Sequence, residues 1–526
     1  MAMARRFTIT ALAPALLIAV AVPAASAATG LAPAGAADAT SSPSTPFSLS
    51  GLPAQSRGPR AATTPVTSGT HPSARLSAGG VSTGANVNVI GGNDVTQQAT
   101  INGVNVFTCN PGKDTAQNET TIASSGSTLV AGANDYRLYE PSENRYDASG
   151  GFYRSADNGT TWSAGFLPGL VRANKAAPGP YESAGDPAVV AGSNGTFWYA
   201  NLAFDRTDAA NSVAVSRSAD GGKTWATHFV VQTPANQGKG LFNDKEWIAA
   251  DPSDAAGDTA YVTWTQFNGS SSAIVISKTT DGGLTWSAPQ RVSNVFTNDQ
   301  GSTVVVGPSG TVYVTFETFH GSTDAVAFAV STDGGATFTT RLIAQVNDIP
   351  SPLPGATFRD DSFPALALDG STLHVVWSNW NGANADVEYM RSANGGAAWA
   401  SPVTIGGGPG DQFFPWVASR NGTVYASWFN RAGTGDTYTI AGAASTDGGA
   451  TWTSPATLST AASDVTTGNQ FSYPSCLYNF IGDYSGITVD SKGIGHSLWT
   501  DIRFDALDPA NGGADQDPYT ATISAP

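Results

Sequence analysis

Positive charge is what this 526-residue chain has least of: its 25 lysines and arginines face 41 aspartates and glutamates, for a formal net charge of −16. No basic cluster follows the N-terminal region. Nucleic acid and anionic membrane surfaces are held by concentrated positive charge, so both are excluded as partners. Charged residues of either sign make up only 13%, and helical apolar periodicity is essentially missing, which excludes a helix bundle. Beyond the N-terminus no apolar run approaches bilayer-spanning length. Histidines number five and are scattered, so no dedicated metal motif is present.

The N-terminus itself reads as an export signal. Arg5 and Arg6 precede the apolar stretch "ITALAPALLIAVAV", and Ala25-Ser26-Ala27 forms an A-x-A cleavage site. Residues 1–27 are therefore expected to be a signal peptide, and the mature protein to be secreted, extracellular, free of membrane spans and monomeric. Residues 28–84 are dominated by Ala, Ser, Thr, Pro and Gly and lack periodicity. Such a segment buries too little surface to offset its ordering entropy, so it is expected to be a flexible leader or linker. The folded unit is expected over residues 85–526.

In that unit one pattern recurs: a short apolar strand, a tight polar turn, then a strand rich in aromatic and β-branched residues. "PAVVAGSNGTFWYANLAF" from residue 187, "TVVVGPSGTVYVTFETF" from 303 and "PWVASRNGTVYASWFNR" from 415 are examples. Alternation with Gly, Asn and Ser turns marks these as β-hairpins. A second pattern follows most hairpins, as in "SADNGTTWS" from 155 and "STDGGATWT" from 445. Hairpin, third strand, repeated turn and fourth strand make one four-stranded sheet at the spacing of propeller blades. The chain is thus expected to be an all-β propeller of seven blades, or six if one hairpin lies outside the ring. The last blade lacks a fourth strand, which the N-terminal side would supply, with "ATINGVNVF" from residue 99 as the candidate. Cys109 and Cys476 fall on connections that ring closure makes neighbours, and are expected to form a disulfide.

The repeated turn, S/T-x-D-x-G-x-T-W, resembles the Asp-box or BNR repeat of sialidase- and neuraminidase-like propellers. It carries Asp157, Asp220, Asp281, Asp333 and Asp447, with Asn394 in the fifth copy. Spread one per blade, these residues cannot converge on one substrate atom, so a structural role is expected: the side chain accepts turn N–H groups and the aromatic fills the gap to a neighbouring sheet. The resemblance implies a glycan-active enzyme, sialidase-like hydrolase or polysaccharide lyase. The Arg-Ile-Pro element of true sialidases is missing, so their catalytic set does not transfer residue by residue. The alternative is a non-catalytic glycan- or protein-binding propeller.

Functional groups are expected on the face opposite the Asp boxes, where every long connection lies. Candidate catalytic residues there are Asp186, Asp244, Glu246, Asp361, Asp411, Asp483 and Tyr484, because paired carboxyls with split pKa values serve glycoside cleavage. Arg137, Arg206, Arg359, Arg431 and Arg503 are candidates for holding a carboxylated glycan, and Trp247 and Trp380 for stacking on sugar rings. No cofactor is required by this reading; a calcium ion held by mouth carboxylates is compatible with it.

Overall fold

The computed structural model describes residues 71–91, 116–140, 145–206, 208–236, 240–320, 323–467, 471–472, 479–503 and 516–526. Cys109, Cys476 and the segment 99–107 lie outside these residues. No helix among the described residues is long and apolar enough to cross a membrane.

Seven antiparallel sheets form the blades of a ring, the first six with their four main strands in sequence order. Their innermost strands, for blades one to seven, are Gln117–Ser125, Ser183–Ala191, Leu241–Ala250, Asp299–Val306, Ala365–Asp369, Asp411–Arg420 and Gly486–Val489. The ring closes by an exchange of ends. In blade seven the third strand, Asp517–Ser524, pairs with Ser82–Thr83 and Val87–Asn88, so the N-terminal side supplies the outer strand, but from residues 82–88 rather than from 99–107. Residues assigned above to the leader also pack on the ring: Ser73 bridges Thr404 and Leu76 bridges Trp452. Blade one meets blade seven through Asn118, whose amide donates to Gln516 Oε1 at 2.8 Å, and Thr120, whose hydroxyl donates to Leu498 O at 3.0 Å.

The six repeated turns share one geometry. At Asp157 one carboxylate oxygen accepts from the Ser155 hydroxyl and the Thr161 N–H, and the other from the Thr161 hydroxyl at 2.6 Å. Ser155 Oγ in turn accepts the Gly159 N–H at 2.8 Å. The Thr hydroxyls hold the Asp157, Asp281 and Asp333 carboxyls down at about 2. Asn394 keeps the bonds from Ser392 Oγ and Ala398 N–H but has no Thr hydroxyl to accept from. The aromatic at the end of each motif packs on the preceding blade. Trp286 meets Trp198 edge-on at 6.4 Å, Trp399 meets Phe328 at 5.2 Å and Trp452 meets Tyr389 at 4.9 Å. The boxes therefore lock blade to blade, at the ends of the sheets opposite the entrances of the first strands.

Candidate functional site

The first strands enter the ring through a shared irregularity. In blades one, two, three, four and six, one extra residue interrupts the pairing with the second strand, between Asn118 and Thr121, Gly185 and Ala188, Asp244 and Trp247, Gln300 and Thr303, and Phe413 and Trp416. The first residue of each bulge is left-handed: Glu119, Asp186, Lys245, Gly301 and Phe414, with φ between 51° and 66°. For a non-glycine residue this conformation costs roughly 1–2 kcal/mol, and such outliers gather at functional sites. Gly301 is the position where a side chain would not fit, since a Cβ there would run into the Phe363 ring.

Counting two residues back from the first regular pair extends the set to Phe363 in blade five and Tyr484 in blade seven. Seven equivalent positions thus ring the mouth. Glu119, Asp186 and Lys245 make one arc charged; Phe363, Phe414 and Tyr484 make the other aromatic. All except Asp186 and Gly301 are buried side chains, Glu119 at 3% exposure and Phe414 at 2%. A small pocket between them is lined by Lys245, Trp247, Phe363, Trp416, Asp483 and Tyr484.

Behind the charged arc stand Asp244, Glu246, Asp361, Asp483 and Arg359. Asn134 knits the first layer, donating to Glu119 Oε2 at 2.8 Å and accepting the Asp186 N–H at 3.0 Å. Burial pushes the Glu119 carboxyl well above its ordinary range, with Asp186 and Asp483 adding repulsion. Asp244 is pushed well above its ordinary range by burial, with the charge of Asp186 adding to it. Burial and Asp186 likewise raise Glu246. Asp483 is pushed up to about 6 by burial, against the pull of Arg359, whose Nε donates to Asp483 Oδ1 at 2.9 Å. Burial lowers the Lys245 ammonium while Asp186, Glu119 and Asp483 hold it up; its Nζ lies 3.1 Å from the Tyr484 ring centroid. Trp247 and Trp416 stack at 4.6 Å beside it. The arrangement combines buried carboxyls, two cationic side chains and an aromatic wall within one opening.

Of the residues singled out from sequence, the structure brings Asp186, Asp244, Glu246, Asp361, Asp483, Tyr484, Trp247 and Arg359 together. The other four arginines are each tied to a carboxylate of the frame. Arg137 forks onto Asp135, two residues away, and lies over Phe166. Arg206 grips Asp147 of blade one through two bonds of 2.6 Å. Arg431 grips Asp411, its direct partner across blade six, and also donates to Pro354 O and Gly435 O. Arg503 forks onto Asp501 and covers Tyr519. Asp411 is consumed by Arg431, and Trp380 caps the second strand of blade five, its N–H bonded to Asn347 O. Glu119, Lys245 and Trp416 were not singled out. Aligning the first strands puts Glu119 and Lys245 at the position of Asp186, and Trp416 at that of Trp247.

Three solved structures illustrate the likeness of the fold. A protein of unknown function from Dyadobacter fermentans is 15% identical, with 67% of this chain and 95% of that one covered at a TM-score of 0.40. The alpha-L-arabinanase of Penicillium chrysogenum, solved with arabinobiose, is 12% identical over 81% of this chain and 98% of its own at 0.42. The sialidase of Trypanosoma rangeli, solved with 2,3-difluorosialic acid, is 14% identical over 68% of this chain and 57% of its own at 0.40. No curated protein matches the sequence. The model of the BNR repeat-like domain matches residues 115–479, which spans blades one to six with their Asp boxes, and the chain belongs to that family.

Proposed function

We propose that the protein is a secreted enzyme that cleaves an acidic polysaccharide at the mouth of the ring. The observation that carries this reading is the gathering of Glu119, Asp186, Asp244 and Glu246 at the bulged entrances of the first strands, with Lys245 and Arg359 beside them and the aromatic arc opposite. A protonated carboxyl in this group donates to the departing glycosidic oxygen, while its ionised neighbour acts as base or nucleophile. Lys245 and Arg359 hold the substrate's carboxylate or sulfate, and Trp247, Trp416 and Tyr484 stack against its rings. Export rests on the signal-like first 27 residues and is tested by N-terminal sequencing of protein recovered from the medium.

Activity is tested on a panel of acidic polysaccharides, following reducing ends for hydrolysis and absorbance of unsaturated uronate for elimination. Turnover by the native protein, lost in Asp244→Asn with binding retained, is the expected result. Burial of the carboxyls behind the ring favours one second reading, a propeller that binds glycan without cleaving it. Binding with no turnover of any substrate in the panel establishes that reading and rejects the enzyme.

A further inference from the structure

Away from the central ring, blade four gathers a second set of acids. Glu317 lies on its second strand, Val312–His320, Asp324 on its third, Thr323–Ser331, and Asp348 follows its fourth, Thr339–Val346. In the ladder Glu317 faces Val326 and Asp324 faces Val346, so the two carboxylates share the face that packs toward blade five. Asp348 is brought to that face by its neighbour Asn347, whose N–H donates to Asn379 Oδ1 at 2.8 Å and whose carbonyl accepts the Trp380 N–H at 2.7 Å. One oxygen from each of Glu317, Asp324 and Asp348 lies within 4.8 Å of the other two. That is the separation two oxygens reach across a calcium ion bound at about 2.4 Å to each.

A second observation points to the same place. Gln300 stands directly opposite Glu317 in the ladder, on the same face, and is 1% exposed with its side-chain Nε2 lacking a partner. Thr315, two residues before Glu317 on the same strand, is fully buried and its hydroxyl also lacks a partner. Amide N–H2 and hydroxyl groups left unmatched in the interior are costly, and a hydrated ion beside them supplies the missing water oxygens. The amide turned about its last bond presents an oxygen ligand instead. Asp348 is only half-buried, which leaves a path for the ion and its waters.

We propose that Glu317, Asp324 and Asp348, flanked by Gln300, form a calcium-binding site at the seam between blades four and five. An all-oxygen donor set with three carboxylates selects a hard divalent cation, and the flexible coordination of calcium suits ligands drawn from two strands and a connection better than the strict octahedron of magnesium. The ion ties the connection carrying Asp348, and with it Arg359 further along the same segment, to the frame of blade four.

The full-length protein, stripped with chelator and dialysed, is titrated with calcium chloride by calorimetry and its melting temperature followed in parallel. The expected results are saturable binding of about one calcium per chain, a melting temperature raised by calcium more than by magnesium, and affinity lowered roughly tenfold or more in Asp348→Asn and Asp324→Asn. Asp348→Asn is the milder change because its side chain is partly in water. Asp483→Asn, in the central ring, serves as the control and retains calcium binding. No calcium uptake by the native protein, unaltered affinity in Asp348→Asn, or loss of binding in Asp483→Asn each overturns the assignment.

Discussion

Replacing Asp447 by Ala removes four accepted hydrogen bonds at once: from Ser445 Oγ at 2.8 Å, the Thr451 and Ala450 N–H groups at 2.9 Å, and Thr451 Oγ1 at 2.7 Å. A net hydrogen bond is worth about 0.5–1.5 kcal/mol, more when its acceptor is charged. Ala450 is exposed and Thr451 half-buried, however, and both recover water when the carboxylate leaves, whereas Ser445 is 1% exposed and does not. The sum therefore falls toward the low end, about 2 kcal/mol. In a domain this large that lowers the melting temperature by roughly 2 °C. The sequence contains its own control: Asn394 accepts from Ser392 Oγ and Ala398 N–H with a neutral oxygen, so Asn394→Ala is expected to cost about half as much. Differential scanning fluorimetry of both variants, with turnover measured on the folded fraction, checks the reasoning. Equal melting temperatures for native protein and Asp447→Ala, or turnover abolished at unchanged stability, refutes a structural Asp box.

The ion pairs give a second prediction: Arg431→Lys loses the fork onto Asp411 and two carbonyl bonds in a site 1% exposed, and is expected to lower stability by about 2–4 kcal/mol. Urea denaturation of Arg431→Lys and Arg206→Lys, with ligand binding measured alongside, separates this from a recognition role, since intact stability with lost binding contradicts it. Glu246 has both carboxylate oxygens buried without a partner, so Glu246→Gln is expected to leave stability unchanged near pH 5 and to raise it at pH 8; a melting temperature lowered equally at both values counts against this. The pH profile of stability should have two flanks. Asp483, raised to about 6, binds more protons folded than unfolded, so stability declines as pH rises from about 4 through 6. The box carboxyls near 2 act oppositely, their contribution being complete above about 4 and lost as pH falls toward 2. A stability maximum at pH 7 or above in chemical denaturation would contradict the first flank.

The Asp boxes and the blades were legible because their information is local. Eight residues contain the donor, the acceptor, the glycines and the aromatic of each turn, and period-two alternation marks each hairpin. The radial position of a side chain is not local, and there the sequence alone says least. Five arginines near strand ends look like one cluster when only the rim is known. Yet "NDYR" and "TDIR" place Asp135 and Arg137, and Asp501 and Arg503, only two residues apart, and each arginine turns back onto its own aspartate. Arg431 and Asp411 are direct cross-strand partners, which only the register reveals. The candidate for the closing strand is 99–107 when the sequence is read alone, whereas Ser82–Thr83 and Val87–Asn88 are too short to register as strands until Asp517–Ser524 supplies their partner.

The inner ring explains how one repeated architecture accommodates a single asymmetric site. Where the boxes face the neighbouring blade, every copy solves the same packing problem, and the residues stay alike from blade to blade. At the mouth the seven equivalent positions converge on one axis, and identical residues there would place like charges or like rings against each other. Glu119, Asp186 and Lys245 instead oppose Phe363, Phe414 and Tyr484, with Gly301 making room for the Phe363 ring. The bulges aim these side chains inward at the expense of left-handed backbone, and burial of several acids adds electrostatic strain that no packing requirement demands. A fold held by six interlocking turns can carry that strain at its centre. The strain lies in the charged arc and the bonding in the periphery, so substitutions that relieve the centre should stabilise the protein, whereas substitutions in the turns should not.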